Sequence, residues 1–326
     1  MTNITRRECV LGGALSFAAM AWAKDYPHRP INLVVPYAAG ALPDAFARAL
    51  GQSISATLKQ PVIVENRPGA GEVVAASYLA RAAGDGYTLM IATLPNVVAP
   101  SVEQKLPYSG LADFAVVSEF LRVVGVLVVS PQIPAKTLPE LVALMKADPA
   151  KLTYGTAGIG SPLHLMFEDF SRITSTKTTH VPYKTFQGAV SDLTTGRIDY
   201  TVAPINMATQ YSKAGKLKII GALSKGRLVD APDIPTLGEQ MPGLSEFDGY
   251  INYGIVAPKS TPESIVKLLN SAVSLAQLSP EFGKRVNLVG GVEVLKPSTP
   301  EQATLNLLRA ESRWRSVAKQ SNLQFE

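Results

Sequence analysis

Residues 31–58 read INLVVPYAAGALPDAFARALGQSISATL, and this stretch decides the fold. Ile31-Asn32-Leu33-Val34-Val35 is a short β-branched run, the mark of a strand. Residues 45–58 place Phe46, Ala49, Leu50, Ile54 and Leu58 at helical spacing, on one apolar face. Working outward, 62–64 reads as a strand, 73–83 as an Ala-rich helix and 87–92 as a third strand. The order βαβαβ belongs to a parallel sheet covered by helices. A turn cluster at 107–110 breaks the pattern. It resumes with strands at 123–129, 152–155, 200–202 and 218–223, helices at 138–147, 163–173 and 190–195, and a Pro-rich loop at 231–242. A second α/β unit therefore sits inside the chain. In the tail, Pro262 is expected at the first position of a helix carrying Ile265, Leu268, Leu269, Ala272, Leu275 and Ala276 as its buried stripe. Ala303, Leu307, Ala310, Trp314 and Val317 share one face of a last helix, expected to pack against a sheet.

Of the 326 residues, 46% are hydrophobic and 17% charged, which excludes a disordered chain. The formal charge of +5 is spread without like-charge runs, so no nucleic-acid partner is expected. At the N-terminus, Arg6 and Arg7 precede an uncharged apolar segment, 10–21, and Ala21-Trp22-Ala23 fits a small-x-small cleavage site. That segment is shorter than the roughly 20 residues a bilayer span needs. Residues 1–23 read as an export signal, so the mature chain is expected outside the cytoplasm. The twin arginine leaves the twin-arginine route and general secretion both open. No later run reaches spanning length, so a soluble mature protein is expected. The single cysteine, Cys9, lies in the signal, so thiolate catalysis, cysteine metal sites and disulfides are closed to the mature chain.

The catalytic sets are missing. His28, His164 and His180 stand at no metal-ligand spacing. Ser161 and His164 are three apart, but Ile159-Gly160-Ser161-Pro162 lacks the second glycine of a nucleophile elbow. The glycines at 155, 158 and 160 match neither G-x-G-x-x-G nor a Walker loop. No enzyme activity, cofactor or metal is expected.

Two segments share one design, an apolar strand, a small-residue loop and a helix start with proline: 33–44 and 152–162. Ser161 is a candidate N-cap. Free N–H groups at such a helix start, with the helix dipole, attract an anion without lysine or arginine. From pattern alone the loops are either a clamp for a small anion or plain strand-to-helix turns.

Further short blocks run in order along the chain: Tyr26-Pro27, Val35-Pro36-Tyr37, Glu65-Asn66-Arg67-Pro68-Gly69-Ala70-Gly71, Asp85-Gly86-Tyr87-Thr88-Leu89, Leu106-Pro107-Tyr108, His180-Val181-Pro182-Tyr183-Lys184, Lys213-Ala214-Gly215-Lys216-Leu217, Ile234-Pro235-Thr236 and Thr261-Pro262. With these blocks the chain resembles the Bug-type periplasmic solute receptors of tripartite tricarboxylate transporters. The resemblance implies a type II periplasmic-binding-protein fold, two α/β lobes around a ligand cleft. Lobe one would be 24–122 plus 250–326, and lobe two 123–249. It implies capture of a small organic carboxylate by lobe closure and delivery to a membrane permease of the tripartite tricarboxylate type, by a monomer. The alternative is a ligand-sensing partner of a two-component histidine kinase.

By matching position, the resemblance assigns ligand contact to Tyr37, Ala38, Ala39, Gly40 and Ala41, with Asp44 at the helix start. It adds Thr93 and Asn96 after the third strand, and Thr156, Ala157, Gly160 and Ser161 from the other lobe. His164 is a ligand contact or a helix residue packed on Tyr183. Ala203 stands where many relatives carry an aspartate, and Glu72 replaces a glycine. Leu42, Pro43, Leu94 and Ile159 add apolar bulk, so an aromatic or aliphatic carboxylate is expected over amino acids and citrate, unless those residues face the core.

Overall fold

The computed structural model describes residues 26–69, 72–93, 106–156, 158–159, 161–183, 186–228, 230–247, 249–289 and 291–320. The expected export signal, with Cys9, lies outside these residues, as do Leu94, Asn96, Ala157 and Gly160.

The opening stretch folds as read: β1 (Ile31–Val35), α1 (Leu42–Leu58), β2 (Val62–Asn66), α2 (Val73–Ala80) and β3 (Thr88–Thr93). Pro43 sits in the first turn of α1, where a missing N–H costs nothing, and Asp44 faces the positive end of the helix dipole. Phe46, Leu50 and Ile54 are buried from that helix. Each such apolar side chain contributes about 1.5–3 kcal/mol over exposure.

β4 (Phe114–Val129) is nine residues longer at its start than the apolar run at 123–129 indicates. Ser118, Glu119 and Arg122 dilute the apolar signal there. Register shifts between Val116 and Ser118, and between Glu119 and Leu121, also break its two-residue alternation. There follow α3 (Leu138–Ala147), begun by a Thr137–Glu140 capping box, β5 (Thr153–Thr156), α4 (Pro162–Thr174), β6 (Thr179–Pro182), α5 (Phe186–Thr195), β7 (Tyr200–Pro204), α6 (Ile205–Lys213) and β8 (Lys218–Ala222). The Pro-rich loop contains one helical turn, α7 (Leu237–Gln240). The chain ends with β9 (Tyr250–Pro258), α8 (Glu263–Gln277), α9 (Pro280–Val286), β10 (Val292–Val294) and α10 (Pro300–Gln320). Pro262 is the N-cap of α8, one position earlier than expected.

The strands join in the order β2-β1-β3-β9-β4-β7-β5-β6, with β8 and β10 also on β4. Two parallel trios, β2-β1-β3 and β6-β5-β7, flank an antiparallel pair, β9-β4. The apolar core divides along the same line. One cluster draws on residues 124–247 plus Val317, and two others on residues 26–123 and 253–307. Ala303 and Leu307 of α10 are buried in a first-lobe cluster and Val317 in the second-lobe cluster, so this helix spans both lobes.

Candidate functional site

Strand direction fixes where the two loops point. β3 and β4 both run antiparallel to β9, and β1 is parallel to β3, so β1 runs with β4 toward the second lobe. β7 runs against β4, and β5 runs with β7, so β5 points back toward the first lobe. The end of β3, Thr93, lies opposite Tyr253 of β9, and the end of β7, Pro204, lies opposite Gly125 of β4. Tyr250 and Val124 pair beside them. The carboxyl ends of both parallel trios therefore open on the junction of the lobes, the place where open α/β sheets bind ligands.

In the loop after β1, Asp44 is buried and works as an organiser. Its carboxylate accepts from Gly40 N–H at 3.0 Å, Arg48 Nε at 2.9 Å and Asn66 Nδ2 at 2.9 Å. Burial acts to raise this carboxyl, but Arg48, the Gly40 N–H and Asn66 together hold it below its usual range. Asn66 also donates to the Tyr37 carbonyl at 2.9 Å, and Arg67 N–H to the Val35 carbonyl at 2.8 Å, so the Asn-Arg block of the sequence laces this loop to the sheet. The expectation of free N–H groups at Gly40 and Ala41 is corrected here. Gly40 donates to Asp44, and Ala41 N–H donates to the Ala38 carbonyl at 3.1 Å. Ala38 and Ala39 are exposed, and Tyr37 is half-buried.

Beside this loop stands Glu72, at the start of α2 with φ +79° and 2% exposed. Its carboxylate accepts from the Tyr37 hydroxyl, the Thr93 hydroxyl and the Thr93 N–H, the last at 3.3 Å. Burial first, and then the Glu72 charge, push the Tyr37 hydroxyl well above its usual range. Two residues expected to touch ligand, Tyr37 and Thr93, thus hold a carboxylate of the chain itself.

In the loop after β5 the partners are neutral. The Thr156 hydroxyl is 2.6 Å from His180 Nε2, 3.1 Å from the Gly158 carbonyl and 3.3 Å from the Gly158 N–H. Ser161 is the N-cap of α4, as expected, its Oγ accepting from His164 N–H at 3.3 Å. The His164 ring is buried against His180, 4.0 Å between centroids and nearly parallel. Burial, and then His180, push His164 down to about 3, and burial pushes His180 down to about 4. Two neutral rings stack here. Ser161 thus meets the backbone N–H of His164 and caps the helix with it. Among the described residues no group of His, Cys, Asp and Glu suits a metal.

The expected apolar lining is also corrected. Ala203 is fully buried in the second-lobe core, Pro43 is buried and Leu42 packs on the first-lobe core. Ile159, 53% exposed, is the described residue of that set left at the surface. Sequence reading missed His180, whose place beside Tyr154 follows from the β5–β6 register, and the structural work of Asn66.

Comparison with known proteins gives the following matches. The model of the tripartite tricarboxylate transporter family receptor matches residues 46–323. Protein BugT of Bordetella pertussis is 31% identical over 329 residues, covering 99% of this chain and 100% of that protein. The solved structure of MatC from Rhodopseudomonas palustris with bound malate is 31% identical, with a TM-score of 0.78 over 90% of this chain and 99% of that one. Rpa4515 of R. palustris, solved with adipate, is 28% identical, with a TM-score of 0.80 over 91% of this chain and 99% of that one.

Proposed function

We propose that this chain, which belongs to the tripartite tricarboxylate transporter receptor family, captures a small organic carboxylate between its lobes and hands it to a membrane permease of that transporter type. The family is one of periplasmic solute-binding receptors, not enzymes. Lobe one is taken as 24–122 with 250–326, and lobe two as 123–249. Residues 1–23 act as the export signal, and N-terminal sequencing of the exported protein is expected to start near Lys24.

The observation that carries this reading is the pair of strand–loop–helix junctions opening toward each other from β1 and β5. Relatives solved with adipate and with malate support a carboxylate as the ligand class. In this chain the carboxylate is placed at the second-lobe junction, on Thr156, Ser161 and the start of α4. A preference for an aromatic or aliphatic body rests on Ile159. Ligand capture draws the lobes together, and the closed form is what the permease reads.

The test is a thermal-shift series of benzoate-type acids, aliphatic mono- and diacids, amino acids and citrate. A ligand at 100 times its Kd adds about 2.7 kcal/mol to folding stability, a shift a melting curve resolves. A melt unmoved by every acid overturns the proposal.

A further inference from the structure

We infer that His180 is a positioning residue for ligand capture: its imidazole closes a circuit of contacts, His180–Thr156–Gly158–Ser161–His164, that holds the loop after β5 in its binding shape. The inference rests on the proposed carboxylate-receptor function and names what keeps its second-lobe site in order.

The circuit runs bond by bond. His180 Nε2 lies 2.6 Å from Thr156 Oγ1. A hydroxyl has one hydrogen and two lone pairs. The Thr156 hydrogen goes to the Gly158 carbonyl at 3.1 Å, so its lone pairs take the Gly158 N–H at 3.3 Å and the Nε2–H of His180. This network assigns the Nε2–H tautomer to His180. The Gly158 carbonyl also accepts from the Ser161 N–H at 3.3 Å, and Ser161 Oγ accepts from the His164 N–H at 3.3 Å. The His164 ring stacks on His180, which closes the circuit.

The loop needs such a hold because a glycine makes its turn. Gly158 has φ +120°, a backbone conformation that side-chain-bearing residues rarely adopt, and glycine loses the most conformational freedom on being ordered. A loop left loose bears that cost when the ligand arrives, whereas a loop already tied does not. His180 can tie it because β6 is paired to β5: His180 lies opposite Tyr154, and the Tyr183 N–H donates to the Thr156 carbonyl at 2.9 Å. The His180 ring also stacks on Tyr154, 4.9 Å between centroids. The Tyr154 hydroxyl donates to Glu168 Oε1 at 2.8 Å, and that oxygen lies 3.8 Å from His164 Nε2, so the charge beside the stack is engaged with the rings. Thr156 is fully buried, so its hydroxyl serves a ligand through the loop it shapes. Ser161 is half-buried, and its Oγ, which accepts from His164, still has a hydrogen to donate.

The test is titration calorimetry with benzoate, hexanoate and adipate, joined to amide hydrogen exchange on the ligand-free protein. His180→Phe keeps a ring for the stack and removes the Nε2–H. It is expected to weaken binding roughly two- to tenfold, the range for one neutral hydrogen bond, and to speed exchange at the Gly158 and Ser161 amides. Thr156→Val is expected to weaken binding at least as much, and the double variant no more than Thr156→Val alone, because His180 acts through that hydroxyl. His180→Gln offers an amide donor in place of Nε2–H and is expected to retain part of the affinity. Melting curves show which variants are folded at the titration temperature, and His180→Gln with Thr156→Val carries the test where His180→Phe is not. Wild-type affinity or wild-type exchange in a folded His180→Phe, or losses that multiply in the double variant, overturns the inference and leaves the receptor reading standing. Failure of wild type to bind these acids or any other in the thermal-shift series overturns the receptor reading, and this inference with it.

Discussion

The loop after β1 and the loop after β5 occupy equivalent places, each following the central strand of a parallel trio and each leading into a helix with proline in its first turn. They are tied down by opposite chemistry. In the first, carboxylates gather the donors: Asp44 takes Gly40, Arg48 and Asn66, and Glu72 takes Tyr37 and Thr93. In the second, Thr156, Ser161 and a stacked pair of neutral histidines do the same work. The difference teaches that one backbone plan can be tied down by carboxylates in one loop and by hydroxyls and imidazoles in the other.

The largest expected effect comes from removing the first-loop organiser. Asp44→Ala removes the acceptor of the Gly40 N–H and of one Asn66 amide N–H and the partner of Arg48, and is expected to cost about 2–4 kcal/mol in urea unfolding. A cost below that of Ser161→Ala would break the comparison.

Acid separates the ends next. Burial and His180 hold His164 near 3, with Glu168 Oε1 at 3.8 Å from its Nε2, while an unfolded histidine titrates near 6.5. Below pH 6.5 the unfolded chain takes up a proton that the folded chain lacks, so stability falls as pH falls. The loss is up to about 1.4 kcal/mol per pH unit, or about 2 kcal/mol by pH 5. Asp44 has the opposite kind of group and a lower window. Its carboxyl is held down in the fold, so its contribution is present above the ordinary carboxylate range and is lost only as pH falls below about 4. Unfolding curves from pH 7.5 to 3 should therefore show the second lobe's histidines acting first, and His164→Gln should flatten the upper part of the slope.

Smaller changes sharpen the picture. Gly40 has φ +81° and open space around it, so Gly40→Ala reports backbone strain alone, about 1–2 kcal/mol by thermal unfolding. Ser161→Ala removes a helix cap worth about 1 kcal/mol of stability. Its larger readout is ligand affinity, expected to drop roughly tenfold or more by calorimetry.

Much of this fold was legible in the chain. Alternation and helical spacing gave β1 through β3 and the helices between them, because each buries one clean apolar face. β9 was missed because Asn252, Tyr253 and Gly254 interrupt its apolar run, and the first half of β4 because charged residues lie along it. In the site, the Ser161 cap was readable from Ser-Pro alone. Glu72 was visible as a departure from a glycine, but what it binds depends on β3 ending beside α2, which no local pattern states. Ala203 was misplaced because a strand residue's face depends on register, and its register with Val126 turns it into the core.

The placing of β9 has a consequence for how the chain is made. The second-lobe cluster is drawn almost wholly from one continuous stretch, 124–247, and so is complete in sequence before β9 emerges during synthesis. The first-lobe sheet is not, since β3 and β4 are held apart until Tyr250–Pro258 arrives to lie between them. Its pairing of residue 93 with residue 253 is a contact of high sequence separation, which carries a heavy loop-closure cost and slows folding. The half that begins the chain is thus the half that finishes last, and during that interval its strand edges stay open to chaperones and to one another.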